Sequence, residues 1–152
     1  MEQKERLHTS ANPVETVLSG LYKNACVGAD AISALLCEVD NGKLRRELFE
    51  QRAWYRAQMQ RIRAQMAEIW LEPLERGETA RKWSRFMIRA KARVGMTVQA
   101  AAKLMVEGTQ MGMVQLHQLL NRAENIPDDL RAQVQDILTH EQGLLDRLCP
   151  YL

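Results

Sequence analysis

The stretch that decides the fold is Pro13–Val39, PVETVLSGLYKNACVGADAISALLCEV. Its positions Val14, Leu18, Leu21, Ala25, Gly28, Ile32, Leu35 and Val39 alternate between spacings of four and three. That pattern keeps one small or apolar residue per turn on one face of an α-helix, a heptad-like seam suited to close helix packing. Asn12 stands where a cap accepts from the first free N–H groups, and Pro13 fits the first helical position. Asp40-Asn41-Gly42 is a turn signal that ends the helix, predicted over 13–39.

Three more seams follow. Residues 43–71 carry Leu44, Leu48, Tyr55, Ile62, Met66 and Ile69 on one face, and Pro73 stops them. A helical pattern extends from Thr79 to Asn121, far longer than the first two helices, and bundle helices joined by short loops tend to match in length. A break near Gly95 therefore divides it into a short extra helix over 80–93 and a bundle helix over 96–121. The latter turns Val98, Ala101, Met105, Gly108, Gly112, Leu116 and Leu119 inward. Ile126-Pro127-Asp128-Asp129 reads as a cap and first turn, with acids at the positive end of the helix dipole. The helix over 128–148 then buries Leu130, Val134, Ile137, Glu141, Leu144 and Leu148. Four helices, short connections and no strand signal predict an all-α, antiparallel four-helix bundle running up-down-up-down. Its single domain covers 13–152, after a flexible segment over 1–12.

Composition agrees. The 152 residues are 46% apolar, 26% charged and 5% aromatic, which favours helices over sheets. A net charge of +2 is too small to argue for nucleic acid. Met1 to Asn12 is polar and carries no apolar signal core. The most apolar stretch, Ala25–Leu36, contains Asp30 and is too short to cross a bilayer. Cytoplasmic placement is the expectation. Cys26 and Cys37 lie on one predicted helix, about 16 Å apart along its axis, so they cannot pair within the chain. With Cys149 they are expected to be free, buried and reduced.

Four polar residues interrupt the seams: Asn24, Gln51, Tyr55 and Glu141. An isolated buried charge is costly, so a lone Glu141 either finds donors or stays protonated. The Tyr55 hydroxyl and the Gln and Asn amides are suitable donors, and a hydrogen-bonded polar layer that sets helix register is expected. The competing reading is a metal or small-ligand site centred on Glu141.

The runs Thr16-Val17-Leu18-Ser19-Gly20-Leu21-Tyr22, Ala31-Ile32 and Lys43-Leu44-Arg45-Arg46-Glu47-Leu48 resemble uncharacterised bacterial ferritin-like proteins, related in pattern to spore-coat-like four-helix families. Glu107-Gly108-Thr109-Gln110-Met111-Gly112 is similar to a segment of the Firmicutes branch of that group. The resemblance implies a ferritin-like bundle. Metal-binding relatives place a Glu on the first helix and a carboxylate-plus-His set on the second, repeated in the other pair. Here the matching positions hold Asn24, then Gln51, Tyr55 and Gln58, and Glu141 alone keeps a carboxylate. His140 beside it is expected to point about 100° away from the seam. No cofactor is therefore expected, with iron or manganese as the alternative.

Lys103, Glu107, Gln110 and His117 follow one another opposite the apolar stripe of the third bundle helix and read as a solvated face. Gly108-x-x-x-Gly112 is a helix-packing spacing that lacks the Lys and Ser/Thr of a phosphate loop. Within residues 81–93, Arg81, Lys82, Arg85, Arg89, Lys91 and Arg93 accompany Trp83 and Phe86 with no acid among them. That basic amphipathic segment packs on the bundle's flank or binds an acidic protein or anionic membrane surface; nucleic acid is disfavoured for want of interleaved stacking aromatics. Cys26, Val27, Ala29, Ala34 and Cys37 lie behind the first seam, and Met111 and Val114 behind the third. Either the 80–93 segment or another copy covers them, and a homodimer or higher homo-oligomer is expected. These readings converge on a non-enzymatic structural or interaction module. The competing classes are a metal-binding or redox protein and a membrane or acidic-partner binder.

Overall fold

The computed structural model describes residues 12–73 and 96–152. Helix α1 spans Pro13–Leu36, α2 Gly42–Glu68, α3 Val98–Arg122 and α4 Asp128–Leu148, and a 3-10 turn at Cys149–Tyr151 follows. Among the described residues there is no strand. The expected extra helix, the basic segment over 81–93 and the break at Gly95 lie outside the described residues, as does most of the segment over 1–12.

Side chains at the helix ends explain the starts and stops. Asn12 Oδ1 accepts from the Val14 N–H at 3.0 Å, and Asn41 Oδ1 from the Leu44 N–H at 3.0 Å. Thr97 Oγ1 accepts from the Ala100 N–H at 3.1 Å, a cap that moves the start of α3 from the expected 96 to Val98. Helix α1 stops three residues before the expected Val39. Arg45 secures the exit: its Nη1 donates to Leu36 O, the last carbonyl of the helix, at 2.5 Å and to Val39 O in the turn beyond at 2.7 Å. Helix α2 ends at Glu68, ahead of Pro73. The Leu71 N–H returns to Met66 O at 2.9 Å and the Trp70 N–H to Ala67 O at 3.2 Å, closing the helix with Trp70 at φ 56°. A left-handed residue in this position is ordinarily glycine. Ile69, expected on the seam, falls outside the helix and is exposed.

Two apolar clusters reveal the helix directions. One gathers Ile32 and Leu35 of α1, Leu44 and Leu48 of α2, Ala101 and Met105 of α3, and Leu144 and Leu148 of α4. The other gathers Val17 and Leu21, Ile62 and Met66, Leu116, and Leu130 and Val134. The end of α1 thus meets the start of α2, the start of α3 and the end of α4. Helices α1 and α4 run one way, α2 and α3 the other. The alternation expected from short connections is not observed: the chain leaves α2 at one end of the bundle and enters α3 at the other. A hairpin forces neighbours antiparallel, but 22 residues separate Pro73 from Met96 in the sequence, and an interval of that length imposes no such reversal.

The seam residues of α1, α3 and α4 point inward as expected, and Ile32, Leu35, Leu116, Val134, Leu144 and Leu148 are completely buried. On the second side of α1, Cys26, Ala29 and Ala31 are buried; on that of α3, Met111 and Val114 are exposed. None of the three cysteines is in a disulfide, and contrary to expectation only Cys26 is buried, with Cys37 and Cys149 exposed. Cys37 lies just past the end of α1 and Cys149 in the terminal turn, beyond the packed part of either helix.

Candidate functional site

The interface of α2 with α4 is a ladder of polar contacts. Arg147 Nε donates to Glu47 Oε2 at 3.1 Å. Gln51 Oε1 lies 2.9 Å from His140 Nε2. The Tyr55 hydroxyl donates to Glu141 Oε1 at 2.7 Å. Gln65 and Gln133 exchange two amide bonds of 2.8 and 2.9 Å. From Glu47 to Gln65 along α2 the partners run from Arg147 back to Gln133 along α4, the register of an antiparallel pair.

Tyr55 and Glu141 occupy the middle. Tyr55 is 4% and Glu141 2% exposed. The phenol ring rests against the backbone of α1 because residue 28 is glycine: a Cβ there would meet Tyr55 Cε2 and Cζ at 2.5 Å. Gly112 of α3 makes the matching allowance for Asn24, whose Oδ1 would lie 2.7 Å from an added Cβ. Two glycines read from the sequence as helix-packing residues thus seat two polar side chains at the level of Glu141.

Burial pushes the Glu141 carboxyl up from 4.5 to about 7, while Tyr55 and Asn24, which favour the ionised form, hold it back. The Tyr55 hydroxyl is raised well above its ordinary range, first by burial and then by the carboxylate beside it. His140 is lowered by burial and by the Arg147 charge. Its ring stacks on the Trp54 indole with centroids 3.7 Å apart and planes 6° apart. Trp54 in turn meets the Tyr55 ring edge-on at 5.2 Å.

The structure joins three of the four expected polar residues. Gln51, Tyr55 and Glu141 are buried on the α2–α4 ladder, and Asn24 is half-buried across from Gly112. His140 stands off the seam as expected, yet it still belongs to this region. A rotation of about 100° from Glu141 turns it from the bundle axis toward α2, where Gln51 and Trp54 receive it. Gln65, Gln133, Glu47 and Arg147 were not anticipated. The signal was available: Gln51, Gln58 and Gln65 are spaced by seven, as are Gln133, His140 and Arg147. Polar heptads flanking two apolar seams mark a hydrogen-bonded interface. Lys103 and Glu107 form an exposed pair at 3.9 Å, and Gln110 and His117 are exposed, so that set is the solvated face expected.

Ladder bonding is incomplete. Gln51 Nε2, Gln58 Oε1, Thr109 Oγ1 and Glu141 Oε2 are buried without a hydrogen-bond partner. Among the described residues, no three His, Cys, Asp or Glu side chains come together as a metal-ligand set. Chemically the centre offers one carboxyl, one phenol and neutral amides, a set suited to holding a proton and short of the several anionic ligands a di-metal pair requires. No helix among the described residues is long and apolar enough to cross a membrane. No family model, curated protein or solved structure matches the chain.

Proposed function

We propose that this protein is a ferritin-like helical bundle of bacterial, cytoplasmic type that works as a non-enzymatic structural or protein-interaction module. The observation that carries the reading is the Tyr55–Glu141 bond. Glu141, the sole carboxylate of the polar layer, is held by a phenol, and the residues beside it on α2 and α4 are bonded to one another. A neutral hydrogen-bonded layer fixes the register of two helices; a cation would need negative charge that these side chains do not supply. The exposed Met111 and Val114 on α3 support a surface that meets another protein, in the simplest case a second copy.

Elemental analysis of protein purified without chelator tests the reading. The expected result is substoichiometric iron, manganese and zinc. Stoichiometric metal retained through gel filtration would overturn it. The unpartnered Glu141 Oε2 is the feature favouring the metal-binding alternative. Thermal melts of wild type and Glu141→Gln with and without iron or manganese separate the two: no metal-dependent rise is expected in either, and a rise in wild type alone would assign Glu141 as a ligand. Light scattering at tens of micromolar is expected to show a dimer or larger, and a monomer would remove the self-association part of the proposal.

A further inference from the structure

We infer that the α2–α4 ladder is a pH-responsive joint, closed around a neutral Glu141 and loosened when that carboxyl ionises. The inference starts from bonding capacity. A buried carboxylate is stable where two or three donors or a cation receive it. Glu141 has one close hydrogen bond, from Tyr55 to Oε1; the Asn24 amide lends weaker support, and Oε2 is left without a partner. Charge does not make up the shortfall. From α1 the nearby polar group is the uncharged Asn24 amide, and from α2 they are Tyr55 and Gln51, both uncharged. The buried face of α3 presents Ala101, Leu104, Met105, Thr109 and Leu116. On α4 itself the neighbours are His140, held neutral by burial, and Arg147, whose guanidinium is engaged by Glu47. The protonated acid fits this setting and the carboxylate does not, in keeping with its titration near neutral pH.

The ladder also determines where the structure yields. Ionisation of Glu141 demands new donors, and water is the available source. The α1–α2 contact is sealed by apolar side chains and by the Tyr55 ring lying on Gly28. The α2–α4 contact is apolar at its two ends but at its centre holds a line of side-chain hydrogen bonds, which water exchanges at small net cost. Water therefore enters between α2 and α4. Trp54, stacked on His140 across this interface, is a built-in reporter.

The test uses the full chain carrying Trp70→Phe and Trp83→Phe, which leaves Trp54 as its only tryptophan, with fluorescence followed from pH 6.5 to 9 and folding checked by circular dichroism. The expected result is a red shift of Trp54 emission with a one-proton midpoint close to neutral pH. Glu141→Gln, which cannot ionise, should abolish the transition. Tyr55→Phe removes the donor that favours the ionised form and should move the midpoint to higher pH. A transition that persists in a folded Glu141→Gln protein overturns the inference, as does a flat profile in the parent. If Glu141→Gln does not fold, Tyr55→Phe decides, and an unmoved midpoint overturns it.

Discussion

Helix α2 has two interfaces that share the apolar clusters but differ in their polar content. Toward α1 it presents Leu44, Leu48 and the Tyr55 ring to a seam of Ala25, Ala29, Ile32 and Leu35, all buried. Toward α4 it presents Glu47, Gln51, Tyr55 and Gln65, each with a named hydrogen-bond partner. Tyr55 belongs to both, its ring packed on Gly28 and its hydroxyl on Glu141. The first interface is stabilised by apolar burial, which is indifferent to pH and register-tolerant within the limits of shape. The second contributes little net energy per bond but penalises every misalignment that strands a buried polar group. One face supplies stability, the other uniqueness and sensitivity to conditions.

The largest effect expected to sharpen this contrast is pH-linked. Burial raises the Glu141 carboxyl from 4.5 to about 7, so within that window the folded chain retains a proton that the unfolded chain has released. Stability from this group is therefore fully present below pH 4.5 and is lost as pH rises through 7. Denaturant titrations across that range should show wild type losing roughly 3 kcal/mol relative to Glu141→Gln. His140, lowered in the fold, acts in the opposite sense as pH rises toward 6.5, and the comparison with Glu141→Gln cancels it. Parallel pH profiles for the two proteins would erase the distinction between the interfaces.

Next is Gly28→Ala, which attacks the apolar interface through the shared residue. The new methyl would lie 2.5 Å from the Tyr55 ring, so the phenol or the α1 backbone must shift. A cost of about 1–3 kcal/mol is expected from overpacking, readable as a lower urea midpoint. Because the ring carries the hydroxyl, the pH dependence assigned to Glu141 should change as well. A stability loss with an unchanged pH profile would show the two faces to be independent.

The Gln65–Gln133 pair offers a cleaner view of the polar side alone. Gln133→Leu leaves the buried part of Gln65 short of a partner and should cost about 1–2 kcal/mol. Replacing both residues by Leu should recover most of that loss, since no unpaired amide remains. Thermal melts of the two single variants and the double variant form the cycle, and a double variant as unstable as the sum of the singles would contradict the account.

Smallest of all is Trp70→Gly. Trp70 is 95% exposed at φ 56°, where a side chain gains little packing and strains the backbone. Glycine should raise stability by roughly 0.5 kcal/mol, seen as a small increase in Tm and leaving both interfaces unaltered.

Much of the fold was legible because a period of three and four survives any particular partner. The seam from Val14 to Val39 points inward along its length, and so does the one from Leu130 to Leu148. The ends were less legible. Thr97 could be found as a cap by its residue type, whereas the stop at Leu36 depends on Arg45 reaching back from the next helix. Of the site, Glu141, Gln51 and Tyr55 stood out by interrupting apolar positions. His140 did not, since it sits one residue off the seam and its role depends on which helix lies there.

The sequence by itself determined that the chain forms long amphipathic helices, which face of each is apolar, and which polar residues share that face. Those properties follow from residue spacing and local capping, and so need no knowledge of neighbours. Tertiary structure alone decided that α2 and α3 run in the same direction, that α2 meets α4 through a polar ladder, and that Gly28 and Gly112 make room for Tyr55 and Asn24. The reason is physical: a helix period specifies an angle around its own axis, while a hydrogen bond or a titrating carboxyl is specified by what stands across the gap.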